Sequence, residues 1–563
     1  MKGSDLIVDF LIANGFSTIF GVPGRRVLPI YDAIYKRQSD LSIVVTQNEQ
    51  GASFMADAFA RLNGLGCCIG ISGPGLINML TGVAAAYIDS VPILVIGGQA
   101  QTSFMGKYGI QEATGLGRTP NQLEMFQSVT KYSQRVGNAK QLLPALEAAY
   151  LSMRTGRQGP VFLEIPTEVL TQNTDVTKLE CMNIPSIDDP LGHGISNTEI
   201  DSFIAALKSK IRPLVLIGEG VNKSGASEEI SSFIHSLGVP YVTTTLAKGC
   251  LPESSSQSLG SAGIWGQPAA ADYILNESDG IMAFGTTFQE LSSYGWRIKE
   301  DQILLRVDID KEELNRNYSA KYSFNSDIKR FLYKINKRIL SENVLFDFSG
   351  AIDIVKSLKV KHGFYGSSFK GDIVSIANRI NPIELIMEIN KSTPDDVVMI
   401  ADVGESGSWS MNMIQRERPS TYIINGGLGT MGHSVAGAIG LSLALPKKKI
   451  ISICGDGGFM MNGNELATAS KYKSNVIWII FNNDILGTQK HYQRDYLDGR
   501  YIGAEMPSID YCAFSESLGV SSHYVDNIDN FRLVYNDSLN LKGNHLIVAN
   551  IDSDIKPEPS FFY

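Results

Sequence analysis

Short apolar runs recur along the chain at intervals that leave room for a helix between them, the pattern of parallel α/β construction. In the first 170 or so residues the runs Ile43–Thr46, Cys67–Ile71, Ile93–Ile96 and Val161–Ile165 read as buried strands, and Gln50–Leu62 reads as an amphipathic helix. A polar, patternless stretch from Thr171 to Asn197 then reads as a linker. A second alternating block carries strands at Pro213–Ile217, Ile281–Gly285 and Ile303–Ile309, and ends near 340. After an expected irregular region at 341–375, a third block carries strands at Val397–Ala401, Ile450–Cys454 and Val476–Phe481. The predicted fold class is α/β, with three doubly wound parallel-sheet domains at 1–172, 195–340 and 373–555. The first and third blocks look alike in texture, although no sequence repeat is evident between them.

Length agrees with that division, since 563 residues exceed one core and suit about three domains at roughly 100–200 residues each. The composition, 44% hydrophobic and 19% charged with no biased tract, is that of a globular chain. A net charge of -9 with no Lys/Arg block argues against nucleic acid as a partner. The six cysteines form no CxxC pair, and several stand in apolar runs, which suits buried thiols in a reducing cytoplasm. Asp5 and Asp9 interrupt the apolar amino-terminal run, and no stretch reaches about 18 uninterrupted apolar residues. Neither export nor membrane insertion is expected.

The chemistry concentrates between residues 455 and 483. Gly455-Asp456-Gly457 follows the strand Ile450–Cys454, so Asp456 falls at the carboxyl edge of a parallel sheet, where such sheets bind ligands. A helix over about Asn462–Lys473 and the strand Val476–Phe481 have the length of a right-handed crossover, which returns Asn482 and Asn483 to the same edge. One carboxylate, one carboxamide and nearby backbone carbonyls suit Mg²⁺ or Ca²⁺, and Mg²⁺ commonly completes its shell with phosphate oxygens. Gly455, Gly457 and Gly458 let backbone amides approach a phosphate at a helix start. Either motif alone would be an ordinary turn; at this spacing the pair reads as a metal-diphosphate clamp.

This stretch resembles the GDG…NN signature of thiamine diphosphate-dependent enzymes, and the resemblance extends over almost the whole chain. It runs through FGVPG (20–24), NEQGASFMADAFAR (48–61), SGPG (72–75), GGQ (97–99), IQE (110–112), ADVGESGSW (401–409) and GGLGTMGHSVAGAIG (426–440), in the order of acetolactate synthase-like members. It implies a pyrimidine-binding first domain, a Rossmann-like central domain and a diphosphate-binding third domain, with the active site between subunits of a homodimer or homotetramer. It also implies Mg²⁺ held by Asp456, Asn483 and the carbonyl of Ile485. Glu49 matches the catalytic glutamate, which shares a proton with the pyrimidine and so turns its amino group into a base. A buried carboxyl would suit that task, although a helix-starting acid is also what the helix dipole favours. Met431 matches the apolar wedge that bends the cofactor, an effective-molarity device, although a methionine is otherwise a common core filler. Gly429 matches the acceptor for the amino group, and Gly404 and Ser406 fall where relatives contact the diphosphate. Glu405 departs from the Gln-His usual there, and would repel a diphosphate unless it points away.

The implied reaction is decarboxylation of pyruvate or a related 2-oxo acid with joining of the remaining unit to a second carbonyl compound, the work of a transferase or lyase. Simple 2-oxo acid decarboxylation is the alternative, and flavin-dependent oxidation the lesser one. The chain has no His-His pair and no histidine before His193, unlike pyruvate-type decarboxylases, while Gln111 matches a glutamine of the acetolactate synthase pattern near the reacting carbon. Carboligation is therefore preferred. Thr488, Tyr492 and Ile110 stand where relatives carry Met, Trp and Phe, so the acceptor is expected to be larger or more polar than 2-oxobutyrate. His491 and Lys490 either meet that acceptor or form a solvated rim. The segment 113–126 is longer than usual and could contribute to a lid. In the middle block GEGVNKSGA (218–226) follows a strand, a weak nucleotide-loop signal, and GTTFQEL (285–291) replaces the flavin-associated segment, so FAD is possible but not expected.

Overall fold

The computed structural model describes residues 1–176, 195–365 and 378–560. Most of the linker expected over 171–197, Cys181, the start of the third unit at 373 and the end of the stretch 341–375 lie outside the described residues. The chain builds three six-stranded sheets, each flanked by helices. All the strand pairings within them are parallel. Counted along the chain within each sheet, the first and third share the strand order 2-1-3-4-6-5, and the middle one has 3-2-1-4-5-6. The likeness in texture between the outer blocks is thus a likeness of topology, and the middle order is that of a dinucleotide-type doubly wound sheet.

The buried runs fold as their patterns require. Pro213–Ile217 is a strand with the expected limits, and Ile450–Gly455 and Val476–Asn482 each run one residue further. Two expectations need correction. The crossover helix begins at once as Asp456–Asn462, passes through a short 3-10 turn at Gly463–Glu465 and resumes at Leu466–Lys471, because Asp456 and the glycines after it already take helical backbone. The stretch expected to be irregular after 341 carries a helix, Ser349–His362, whose Ala351, Val355 and Leu358 pack into the middle unit. Those positions follow i, i+4, i+7 spacing, diluted in the sequence by intervening lysines. The middle unit's core therefore extends past 340.

One continuous apolar core joins the first and third units, with Phe54, Met55 and Ala58 against Val435, Ala436 and Ile439. Helix Glu49–Asn63 lies on helix His433–Ala444, and a methyl group at Gly440 would stand 2.3 Å from the Met55 carbonyl oxygen. Glycine there is what lets the two backbones approach. Beside that contact lies a buried polar group: Asp57 Oδ2 meets His433 Nε2 at 2.7 Å and accepts from Arg61 Nε at 2.9 Å. Arg61 Nη2 also donates to Asp89 Oδ2 at 2.8 Å. Burial alone would raise the Asp57 carboxyl, but Arg61 and His433 overcome that and hold it at about 2. Removing one member of such a group strands the others without compensation.

Asp57→Asn is expected to lower stability by about 3 kcal/mol, read as a fall in the urea midpoint. Because the native carboxyl sits below its ordinary 3.8, its contribution is present above about pH 4 and is lost as pH falls toward 2, so the difference between variant and parent should shrink over that window.

Candidate active site

Register places the acid and the asparagines together. Strands Ile450–Gly455 and Val476–Asn482 pair with Gly455 opposite Phe481, so the residues that follow each emerge side by side. Asp456 is 2% exposed. Its Oδ1 accepts from the Gly457 amide at 2.7 Å, and Oδ2 accepts from the Asp484 amide at 2.8 Å and the Asn483 amide at 3.3 Å. Burial raises this carboxyl to about 6 against those amide donors, with the charge of Asp484 adding a smaller push. Asn483 Oδ1 accepts from the Ile485 amide at 3.3 Å, and Ile485 is buried, bridged to Glu505. The side-chain oxygen of Asn482 is buried and has no partner.

The adjoining strand ends complete a cradle. Val398–Ala401 lies next to Ile450–Gly455, and helix Glu405–Met413 starts just beyond it at Gly404. Gly404 has φ +96°, a conformation essentially reserved for glycine, although nothing lies within 4 Å of where its Cβ would be. Ser406 is buried and its hydroxyl has no partner, an arrangement that an incoming anion would satisfy. Gly429 takes φ +71° in the turn that presents Met431. Met431 is half-buried, and its Cε stands 3.3 Å from the Cβ position of Gly457, so the methionine leans on the acid turn. No group of three or more His, Cys, Asp or Glu among the described residues is arranged to hold a metal. With Asp456 as its carboxylate, the crevice suits a cation that arrives with phosphate oxygens of its own. The orphaned Ser406 hydroxyl, the orphaned Asn482 oxygen and the open space beside Gly404 and Gly455 fit such a group.

Glu49 and Gln111 stand in the first unit. Glu49 opens helix Glu49–Asn63, and its Oε2 accepts from Asn78 Nδ2 at 3.0 Å. It is half-buried, where sequence reading expected a buried carboxyl, because one side of it faces outward from the chain. Gln111 is also half-buried, has φ +57°, and its Cα lies 3.6 Å from the Cβ position of Gly73. The structure thus gathers the predicted residues into two groups, and no hydrogen bond among the described residues joins Glu49 or Gln111 to the cradle of the third unit.

Sequence reading missed several organising residues. Glu465 is buried and accepts from the Asn48 amide at 2.9 Å, the Gln47 amide at 3.1 Å and Thr468 Oγ1 at 2.6 Å, so it grips the turn that precedes Glu49. An acid directly before the small, mostly apolar run Leu466–Ala469 was the available signal. Asp402 accepts from the Gly432 amide at 2.8 Å and Ser434 Oγ at 3.2 Å, and so ties the Met431 turn to a strand end. His491 is neither a solvated rim nor free to meet an acceptor: it is 5% exposed, and its nitrogens contact Glu405 and the Ser553 carbonyl. Lys490 lies over the Tyr501 ring at 5.8 Å. Apart from this crevice, a cavity of about 1060 Å³ lies between the first and middle units, lined in part by Asp89, Arg157, Lys223, Gly285 and Asp308.

Each of the three units matches a domain of one family of known proteins. Residues 1–123 match the model described as the thiamine pyrophosphate enzyme N-terminal TPP binding domain, 200–335 the central domain, and 402–549 the C-terminal TPP binding domain. The chain is 32% identical to the probable acetolactate synthase large subunit of Methanocaldococcus jannaschii over 94% of its own length and 89% of that protein's. It is 32% identical to the acetolactate synthase large subunit of Lactococcus lactis over 89% and 84%. It is 29% identical to the chloroplastic acetolactate synthase 1 of Nicotiana tabacum over 97% and 81%. The chain belongs to the thiamine pyrophosphate-dependent enzyme family, among its acetolactate synthase-like members.

Two substitutions separate backbone conformation from packing at this site. Gly404→Ala is expected to cost about 1–3 kcal/mol through its φ alone, whereas Gly455→Ala, which has φ -81° and equally open space, should shift the urea midpoint little.

Proposed function

We propose that this enzyme decarboxylates pyruvate or a related 2-oxo acid and joins the remaining unit to a second carbonyl compound, with thiamine diphosphate and Mg²⁺ as cofactors. The observation that carries the reading is the crevice at the carboxyl ends of the third sheet, where the Asn483 amide meets Asp456 and, beyond the neighbouring strand, the buried hydroxyl of Ser406 has no partner. Asp456, the Asn483 side chain and the Ile485 carbonyl would hold Mg²⁺, and Gly404, Ser406, Gly455, Gly457 and Gly458 would receive the diphosphate. Bound thiamine diphosphate supplies the nucleophilic carbon and the electron sink for loss of CO₂. The chain's own groups position it and move protons: Met431 would pack beneath its rings, the Gly429 carbonyl would accept from the pyrimidine amino group, and Glu49 would hold a proton at the pyrimidine ring.

Because Glu49 is half-buried and no hydrogen bond among the described residues joins it to the cradle, we read the two halves of the site as completed between two copies of the chain, in a homodimer or homotetramer. Exposed apolar side chains on both units support this. Tyr108 and Ile110, at 70% and 83% exposure, lie just before Gln111 in the chain, while Met461 and Tyr492 lie open on the third unit. Patches of this kind mark interaction surfaces. Gln111 would stand near the reacting carbon and favour carboligation. The first relatives above are named as a probable acetolactate synthase large subunit and an acetolactate synthase large subunit, which supports a pyruvate-type donor. Among the described residues no helix is long and apolar enough to cross a membrane.

Incubation with pyruvate alone, and then with aldehydes or other 2-oxo acids, followed by identification of the products, tests the reaction. A hydroxyketone or acetohydroxy acid is the expected product, and acetaldehyde alone would replace this reading with simple decarboxylation. Glu49→Gln should retain cofactor, measured by equilibrium binding, while turnover falls by about 10²-fold or more. The purified enzyme should show no flavin absorbance.

A further inference from the structure

Glu405 is an unexpected residue to find at the mouth of an anion site. It opens helix Glu405–Met413, directly between Gly404 and the unpartnered hydroxyl of Ser406. A free carboxylate in that place would oppose a diphosphate. The carboxylate is turned aside. Its Oε1 lies 2.5 Å from His491 Nδ1, and Oε2 lies 2.2 Å from where a Cβ on Gly487 would be. Gly487 is the first residue of helix Gly487–Tyr496, so the charge rests on the amino-terminal turn of a second helix, the end that favours an anion. The absence of a side chain at Gly487 is what makes room for it. The other nitrogen of the ring, Nε2, is 2.9 Å from the backbone oxygen of Ser553. With Glu405 ionised both of these oxygens accept, so a ring that serves the two of them donates from both of its nitrogens. His491 is 5% exposed, and the side chain of Glu405 15%, so solvent screens the pair weakly.

We infer that His491 is the counter-charge that keeps Glu405 neutralised and withdrawn, and so leaves the start of helix Glu405–Met413 open to the diphosphate. His491 in this role is a positioning residue: it contacts Glu405 and the Ser553 carbonyl, not the cofactor. The inference rests on the site reading above, and adds that a single histidine in the helix after the paired asparagines governs affinity for the charged end of the cofactor. Without it the carboxylate would be unpaired within one residue of Ser406, free to swing toward the amides the diphosphate needs. The same pair anchors the segment around Ser553 to the helix that follows Asn483, so a purely structural role is the competing account.

A double-mutant cycle on the full-length protein separates the two, with thiamine diphosphate affinity measured by calorimetry or tryptophan quenching at saturating Mg²⁺, and the thermal midpoint read alongside. His491→Gln, which keeps hydrogen-bonding capacity but loses the charge, should weaken binding about tenfold or more. Glu405→Gln/His491→Gln should recover affinity to within about threefold of the parent, even if both variants share a lowered thermal midpoint. Unchanged affinity in His491→Gln, or a double variant that binds no better than His491→Gln, overturns the inference and assigns the pair to structure alone. Failure of the unaltered protein to bind thiamine diphosphate would instead overturn the reading of the site itself, and this inference with it.

Discussion

The contact between helices Glu49–Asn63 and His433–Ala444 is the constraint on which the rest depends. It brings together residues nearly four hundred positions apart in sequence, and it works only because Gly440 presents no side chain to the Met55 carbonyl. Around that approach a shared apolar core forms, and within it the Asp57–His433–Arg61 group is buried. Such a group adds little net energy compared with apolar packing, but it penalises sliding of one helix along the other, since His433 is its one member on the second helix and a shift of one turn would part it from Asp57. The first and third units are therefore registered, not merely adjacent. Glu465 exploits that register to reach the Gln47 and Asn48 amides, and so fixes the amino-terminal end of the helix that Glu49 opens.

The site divides its labour according to what each element does best. Parallel sheets leave a crevice where strands end, and the third sheet fills its crevice with small residues, the buried carboxylates of Asp402 and Asp456 and side-chain atoms that lack partners. An unsatisfied buried hydroxyl such as that of Ser406 costs stability in the unliganded chain. The cavity between the middle unit and Asp89 and Arg157 of the first unit adjoins the Arg61 network through Asp89.

Much of this was legible in the sequence because buried parallel strands are continuous apolar runs. Cys67–Ile71, Pro213–Ile217 and Val476–Phe481 announce themselves, and the motifs at their ends then fall at sheet edges by geometry. The strands left unread are mostly edge strands. Tyr132–Arg135 is half-buried throughout and Ser521–Val525 is largely exposed, so neither needs an apolar run. Glu405 and His491 illustrate a different limit. Each could be seen as unusual, but their pairing crosses 86 residues and depends on the empty space at Gly487, which no local pattern encodes. Glu465 was hidden for a similar reason: a buried acid is recognisable only by the amides it serves, and those lie in another unit.

That grip of Glu465 on the Asn48 amide spans 417 positions. A growing chain emerging from the ribosome has the acid-bearing turn early, and its clasp only after most of the polypeptide has been made. The first unit can collapse around its own sheet meanwhile, since domains generally fold as units in order of synthesis. Its most consequential turn must nonetheless wait unsecured until translation has passed residue 465, so a truncated product would carry the acid without the means to hold it.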